Sequence, residues 1–426
     1  MFLELAKIAT ATIDRYEKEY EMKALFQKLC AAGVLLLAAP IVAQSPAIWT
    51  GSWAASPMAA TAGGVTIGDT GITFRNFIHL SIGGQAVRIR LSNEYGTKPL
   101  LVADVHLARS ASEGAIVAGS DHPLTFGGAR SVEIPAGTVA VSDPVAMPVP
   151  DFADLSVSLH LASPIDFALT YHESAISTNY ESVGDQAAEI ELHDSSKISN
   201  WYLLTAVDVD AGPMASAAVV LGASVVNGTH STLDKNLRWP DDLARRLQAA
   251  PSTAKIGVLN EGIGGNRILH DNVGMGGLAR LNRDVLGQSN AKILIFSMGT
   301  NDIGRMFFPN DRTEKGITTE QMEWATQQVV LRAHARGMQV LCATLNPYEG
   351  AAYYNAEGER MRQAFNEFIR SSRACDGVVD FDRATLDPIH PTRMLSKFDS
   401  GDHLHPNDAG YQAMADAFNM DLFLRR

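Results

Sequence analysis

The sequence predicts two architectures in series. An all-β, jelly-roll-like sandwich comes first, followed by an α/β domain with a flavodoxin-like, doubly wound parallel sheet. Three observations carry this expectation. At 426 residues the chain is too long for one ordinary core. Its first half runs in short segments of alternating polarity divided by Gly, Pro and Asp. Its second half alternates continuous apolar runs with helical patterns, as strands buried on both faces do.

Residues 1–21 hold both charge signs in an amphipathic pattern and read as an upstream extension, with translation expected to start at Met22. In residues 22–44, "MKALFQKLCAAGVLLLAAPIVAQ", Lys23 and Lys28 precede an apolar run from Leu29 to Ala43. The run has signal-peptide length and is short for a membrane span, so cleavage after Ala43 is expected. An uncleaved membrane anchor is the alternative. Cys30 opens the apolar run, a position that does not suit lipid attachment. The expected product is secreted or periplasmic, without stable membrane insertion.

Residues 45–212 form the expected β-sandwich domain. "QAVRIRLSNEYG" alternates Val87, Ile89 and Leu91 with Arg88, Arg90 and Ser92, after a turn signal at Gly83-Gly84. "LLVADVHLA", "SVEIPAGTVAV" and "LSVSLHLA" continue the pattern, and long helical patterns are missing, which suggests an antiparallel sandwich. Residues 213–426 change character. "AAVVLG", "KIGVLN", "KILIFS", "MQVLCATL" and "GVVDF" read as five parallel strands. "WPDDLARRLQ" reads as a helix opened by Pro240 near its first position, with Trp239 in the core.

Composition excludes some functions. A net charge of -12 argues against nucleic acid as a partner, because phosphate binding needs clustered Lys and Arg. No Cys cluster could hold zinc. Cys342 sits mid-strand and Cys375 just before the next strand, so two buried, unpaired thiols are expected.

The chemistry-bearing residues fall at the C-terminal ends of predicted strands, where ligands bind in such sheets. Ser224 ends the first strand in "LGASVVNG". "NEGIGGNRIL" follows the second strand and "GTND" the third. "SGDHLHPNDAGY", with Asp402, His403 and His405, follows the fifth. The blocks "GAS", "GIGGN", "GTND" and "DHLH", in this order, resemble the GDSL or SGNH hydrolase family over roughly residues 217 to 423. "WTGSWAASP" and "VRIRLSNEYGT" resemble the N-terminal β domain of a bacterial branch of it.

The resemblance implies a serine esterase (a carboxylic ester hydrolase) working through an acyl-enzyme without metal or cofactor. Ser224 is then the nucleophile, His405 its base, and Asp402 the carboxylate that holds the imidazole. The oxyanion hole is expected from the backbone N–H groups of Ser224 and Gly265 and the side-chain amide of Asn301. The implied partner is a small-molecule or carbohydrate ester with an acetyl or short acyl group. Ala223 departs from the family, which usually has Asp there, and Asp302 reads as structural. His230 and Arg267 are candidate substrate contacts by their closeness in sequence. Two other readings compete: a glycan-binding protein with a degenerate hydrolase domain, and a metallohydrolase built on Asp402, His403 and His405. Acyl length, the alcohol part and oligomeric state are not fixed by the sequence.

Overall fold

The computed structural model describes residues 4, 15–16, 18–24, 47–60, 68–162, 164–307 and 317–424. The chain divides into two units, Met1–Ala47 and Ile48–Arg426. In the first, residues 18–24 are helical; the segment 25–46, which holds most of the expected signal peptide and Cys30, lies outside the described residues. No helix among the described residues is long and apolar enough to cross a membrane.

The second unit opens with antiparallel sheets. One runs in the order Trp49–Ala54, Leu204–Asp210, Val87–Ser92, Val139–Val141. The other, of six strands, is centred on Ile72–His79 and Asp154–Leu161. Inward residues of both, among them Val87, Ile89, Leu91 and Val207 from the first and Phe74, Val105, Leu107, Val157 and Leu159 from the second, share one core. Period-2 patterning gives this directly: Val87, Ile89 and Leu91 are buried while Arg88 and Arg90 between them are half-buried.

Five parallel strands follow, in the order Ile256–Gly262, Ser216–Gly222, Ala291–Ser297, Gln339–Ala343, Gly377–Val379. This is the 2-1-3-4-5 order of flavodoxin-like sheets. Along Ser216–Gly222, Ala217, Val219 and Leu221 pack under the helices Thr319–His334 and Ala356–Ser371. Ala218 and Val220 pack under Trp239–Gln248 and Asp408–Asp416 on the other face. Burial on both faces explains why the strand is apolar without alternation. Trp239 is fully buried at the start of its helix, as expected.

The two cysteines correct the sequence reading: Cys342 and Cys375 form a disulfide. Cys342 pairs in register with Val378 of the neighbouring strand, and the Asp376 amide donates to the Val340 carbonyl. The residue just before the last strand is therefore carried alongside Cys342, with Cα atoms 6.0 Å apart, inside the range a bridge needs.

The sandwich and the parallel sheet are joined by packing, not only by chain. Trp49–Ala54 lies against Ile256–Gly262, so closely that a Cβ on Gly51 would stand 2.6 Å from Leu259. The amide of Val258 donates to Ser81 Oγ at 2.9 Å. Deeper in the seam, Ser56 Oγ donates to Glu261 at 2.6 Å and receives the Arg280 guanidinium at 2.6 Å. Arg280 also donates to Asp284 at 2.8 Å and to the Gly222 carbonyl at 2.9 Å. A fully buried arginine is thus satisfied by a carboxylate, a hydroxyl and a strand-end carbonyl.

Candidate active site

Ser224 is the first residue of a four-residue helix, Ser224–Asn227, at the end of the first parallel strand. Amides of a helix's first turn have no intrahelical partner, so the Ser224 N–H is available to an external acceptor. The turn is tight. A Cβ on Gly222 would stand 2.0 Å from a Val226 methyl, and one on Gly262 would stand 2.3 Å from the Asn227 nitrogen. Ala223 supplies no side-chain cap. The strand end is held instead through the Gly222 carbonyl, by Arg280 at 2.9 Å and by the Ile263 amide at 3.3 Å.

His405 reaches the serine from the loop before the last main helix. Its Nε2 lies 2.8 Å from Ser224 Oγ, and its Nδ1 lies 2.6 Å from Asp402 Oδ2. The three-residue spacing has a local cause. Asp402 Oδ1 accepts the amides of Leu404 at 2.9 Å and His405 at 2.8 Å, folding the loop back so that Oδ2 meets the ring. Burial opposes ionisation of Asp402, but the His405 ring and these two amides outweigh it and hold the carboxyl well below the usual range. Burial lowers His405 from its ordinary value against the pull of Asp402. The imidazole is therefore neutral at pH 7, as a base must be.

Ser224 and Asn301 line one narrow cleft with Val225, Gly299, Tyr353 and Leu404. Asn301 Nδ2 donates to the Asn266 carbonyl at 3.1 Å, which leaves its second N–H available. Gly265 is outside the cleft's lining, one residue before Asn266. Its φ of +72° is left-handed, and a Cβ there would meet Arg305 Nη2 at 2.6 Å. Asp302 is fully buried and accepts the Ile268 amide at 2.9 Å, a structural role as expected; burial pushes its carboxyl up to about 7.

The two expected substrate contacts are placed differently. Arg267 is only 5% exposed, donates to the Asp271 carbonyl at 3.0 Å, and its charge acts on Asp302. His230 comes into the site, but onto the acid: its Nε2 is 3.3 Å from Asp402 Oδ2. Its left-handed backbone, φ +69°, is fixed by Tyr411 Oη on the Thr229 carbonyl at 2.6 Å and by Thr232 on Asp408 at 2.8 Å. His403 turns away to Asp399 at 2.6 Å, so the set Asp402, His403, His405 is not assembled. One ligand atom each from His230, Asp402 and His405 lie within 4.8 Å of one another, but a cation there would engage the imidazole that faces Ser224.

Sequence reasoning missed Tyr353, in "YEGAAYYN" after the fourth strand. That loop also follows a strand's C-terminal end, so the crevice rule applied to every strand would have found it. It missed His172 as well. From the β half, His172 Nε2 lies 3.0 Å from Asn227 Oδ1, and Asn227 Nδ2 donates to the Ser174 carbonyl at 3.0 Å. No local pattern announces that contact, because it joins segments far apart in sequence.

Residues 219–418 match the family GDSL-like Lipase/Acylhydrolase. No curated protein matches the chain. Among solved structures, an acetylxylan esterase from Geobacillus stearothermophilus is similar at 20% identity and a TM-score of 0.38, over 49% of this chain and 95% of that one. An alpha/beta hydrolase enzyme from the metagenome of Lake Arreo is similar at 22% identity and a TM-score of 0.38, over 50% and 97%. A GDSL-like lipase from Bacteroides thetaiotaomicron is similar at 14% identity and a TM-score of 0.37, over 49% and 88%. Residues 219–418 thus carry a GDSL-like lipase/acylhydrolase domain, which supports a carboxylic ester hydrolase.

Proposed function

We propose that the chain is a secreted serine esterase that removes acetyl or short acyl groups, by way of an acyl-enzyme, from carbohydrate esters. The observation that carries the mechanism is the continuous chain from Ser224 Oγ to His405 at 2.8 Å and on to Asp402 at 2.6 Å. Neutral His405 takes the Ser224 proton as Oγ attacks the ester carbonyl. The resulting oxyanion is received by the Ser224 N–H and the free N–H of Asn301, with the Gly265 N–H as third donor. Collapse expels the alcohol, which takes the proton from His405. Water, deprotonated by the same ring, then cleaves the acyl-serine and releases the acid. Asp402 stays ionised throughout and stabilises the charged imidazole.

Short acyl groups are favoured by cleft size. The space open to the centre of a water molecule is only ≈ 30 Å³. A single water needs roughly 10–15 Å³ by that measure, so the cleft suits an acetyl group better than a long chain. Secretion rests on the signal-like segment 22–44 and accords with the disulfide, a bond favoured in oxidising compartments.

Ser224→Ala should lower kcat on p-nitrophenyl acetate by at least ~10⁴-fold, while activity of the native protein persists in EDTA. Unchanged turnover in the variant removes Ser224 from the mechanism. Loss of activity in EDTA would favour a metal on His230, Asp402 and His405 instead.

A further inference from the structure

His230 is held in a backbone conformation that histidine seldom adopts. Its φ of +69° is left-handed, and it follows Gly228 at φ +92°. Such strain persists only where surrounding contacts fix it, and it gathers at active sites. Here three contacts fix it. Tyr411 Oη donates to the Thr229 carbonyl at 2.6 Å, Ser231 Oγ to the Gly228 carbonyl at 2.7 Å, and the Thr232 amide to Asp408 at 2.8 Å. The strained turn carries a half-exposed ring onto the proposed triad.

The ring meets one particular oxygen. Asp402 Oδ2, 3.3 Å from His230 Nε2, is also the oxygen 2.6 Å from His405 Nδ1. Asp402 Oδ1 is occupied separately, by the amides of Leu404 and His405 and by the Ser400 hydroxyl at 3.0 Å. His230 and His405 therefore face a single acceptor, with their ring centroids 5.5 Å apart. The titratable groups around His230 are these two, together with Asp408 behind Thr232 and Tyr411 behind Thr229.

We propose that His230 is a positioning residue that acts on the catalytic base through Asp402: with its proton on Nε2 it donates to Oδ2 and shares the oxygen that holds His405. A carboxylate that receives a second donor grips a charged imidazole less strongly. His405 therefore stays neutral, and able to take the Ser224 proton, into more acidic solution. A positive charge on His230 acts in the same direction, because it opposes a second cation on the neighbouring ring. The proposal rests on the serine-esterase reading for turnover; its effect on the Asp402–His405 hydrogen bond is measurable without turnover.

The test uses two variants of the full chain. His230→Asn tolerates the left-handed backbone but is too short to reach Asp402. His230→Gln is longer and returns an uncharged N–H donor near the place of Nε2. The pH profile of kcat/KM on p-nitrophenyl acetate is measured in EDTA. The low-field Nδ1–H resonance of His405 is followed by proton NMR over the same pH range, with each variant also made on the Ser224→Ala background. His230→Asn should move the acid inflection up by about half a unit, so that kcat/KM falls about threefold more on the acid limb than on the plateau. The resonance should titrate at correspondingly higher pH, and His230→Gln should return both toward the native profile. An inflection that stays or falls in His230→Asn, a loss equal at every pH, or a profile that His230→Gln does not restore overturns the proposal. A native protein inert toward the ester, whose His405 resonance still responds to His230→Asn, refutes the esterase reading and leaves the contact with Asp402 standing.

Discussion

Asn227→Ala tests how far the β half governs the nucleophile. Asn227 is 4% exposed and closes the helix that Ser224 opens. Its side-chain amide spans the seam twice, with Oδ1 lying 3.0 Å from His172 Nε2 and Nδ2 donating to the Ser174 carbonyl at 3.0 Å. Truncation leaves both of those groups buried and without Asn227. Each such loss costs about 1–3 kcal/mol, so the variant should be destabilised by roughly 2–6 kcal/mol. The Asn227 amide stays bonded to the Ala223 carbonyl at 2.9 Å, so the turn survives while its lateral support goes. Denaturant unfolding gives the stability change, and kcat/KM on p-nitrophenyl acetate gives the displacement of Ser224. A cycle with His172→Leu should show a coupling of about 1–2 kcal/mol. If Asn227→Ala changes stability by less than about 0.5 kcal/mol, or the two substitutions simply add, the seam does not brace the helix.

Three further outcomes are expected. Asp402→Asn keeps the size of the side chain but offers an amide where His405 Nδ1–H needs an acceptor, so kcat should fall by ~10⁴-fold with little change in KM. Burial lowers His405, and only the neutral ring is a base; kcat/KM should therefore rise with pH through an inflection below the ordinary 6.5 and then level, and an inflection above 6.5 contradicts the assignment. Reducing the Cys342–Cys375 bridge, which encloses a loop of sequence separation 33, should cost about 2–4 kcal/mol, read as a lower unfolding midpoint in dithiothreitol.

Much of the architecture was legible because it is periodic. The alternation at Val87–Ser92 and the uninterrupted run at Ser216–Gly222 each record which faces are buried, and the structure buries those faces. The candidate site was legible because the residues that converge on it sit at strand ends, where topology alone brings them together. Contacts set by side-chain direction were not legible. Arg267 and His230 are both near the site in sequence, yet one is buried and donates to the Asp271 carbonyl, while the other, still half exposed, meets Asp402. The disulfide was missed for a related reason: strand order, not spacing, makes Cys342 and Cys375 neighbours.

The strand Ile256–Gly262 stands at the border of the parallel sheet, where unpaired backbone groups invite other chains to add on. Here the sandwich shields that border, with Ser81 stoppering the Val258 amide and Gly51 pressed onto Leu259. Severing the chain between the halves would bare a sticky rim and an apolar flank together. The catalytic half is therefore poorly suited to being cut out as a cassette, and the sandwich acts as its built-in guard against self-association.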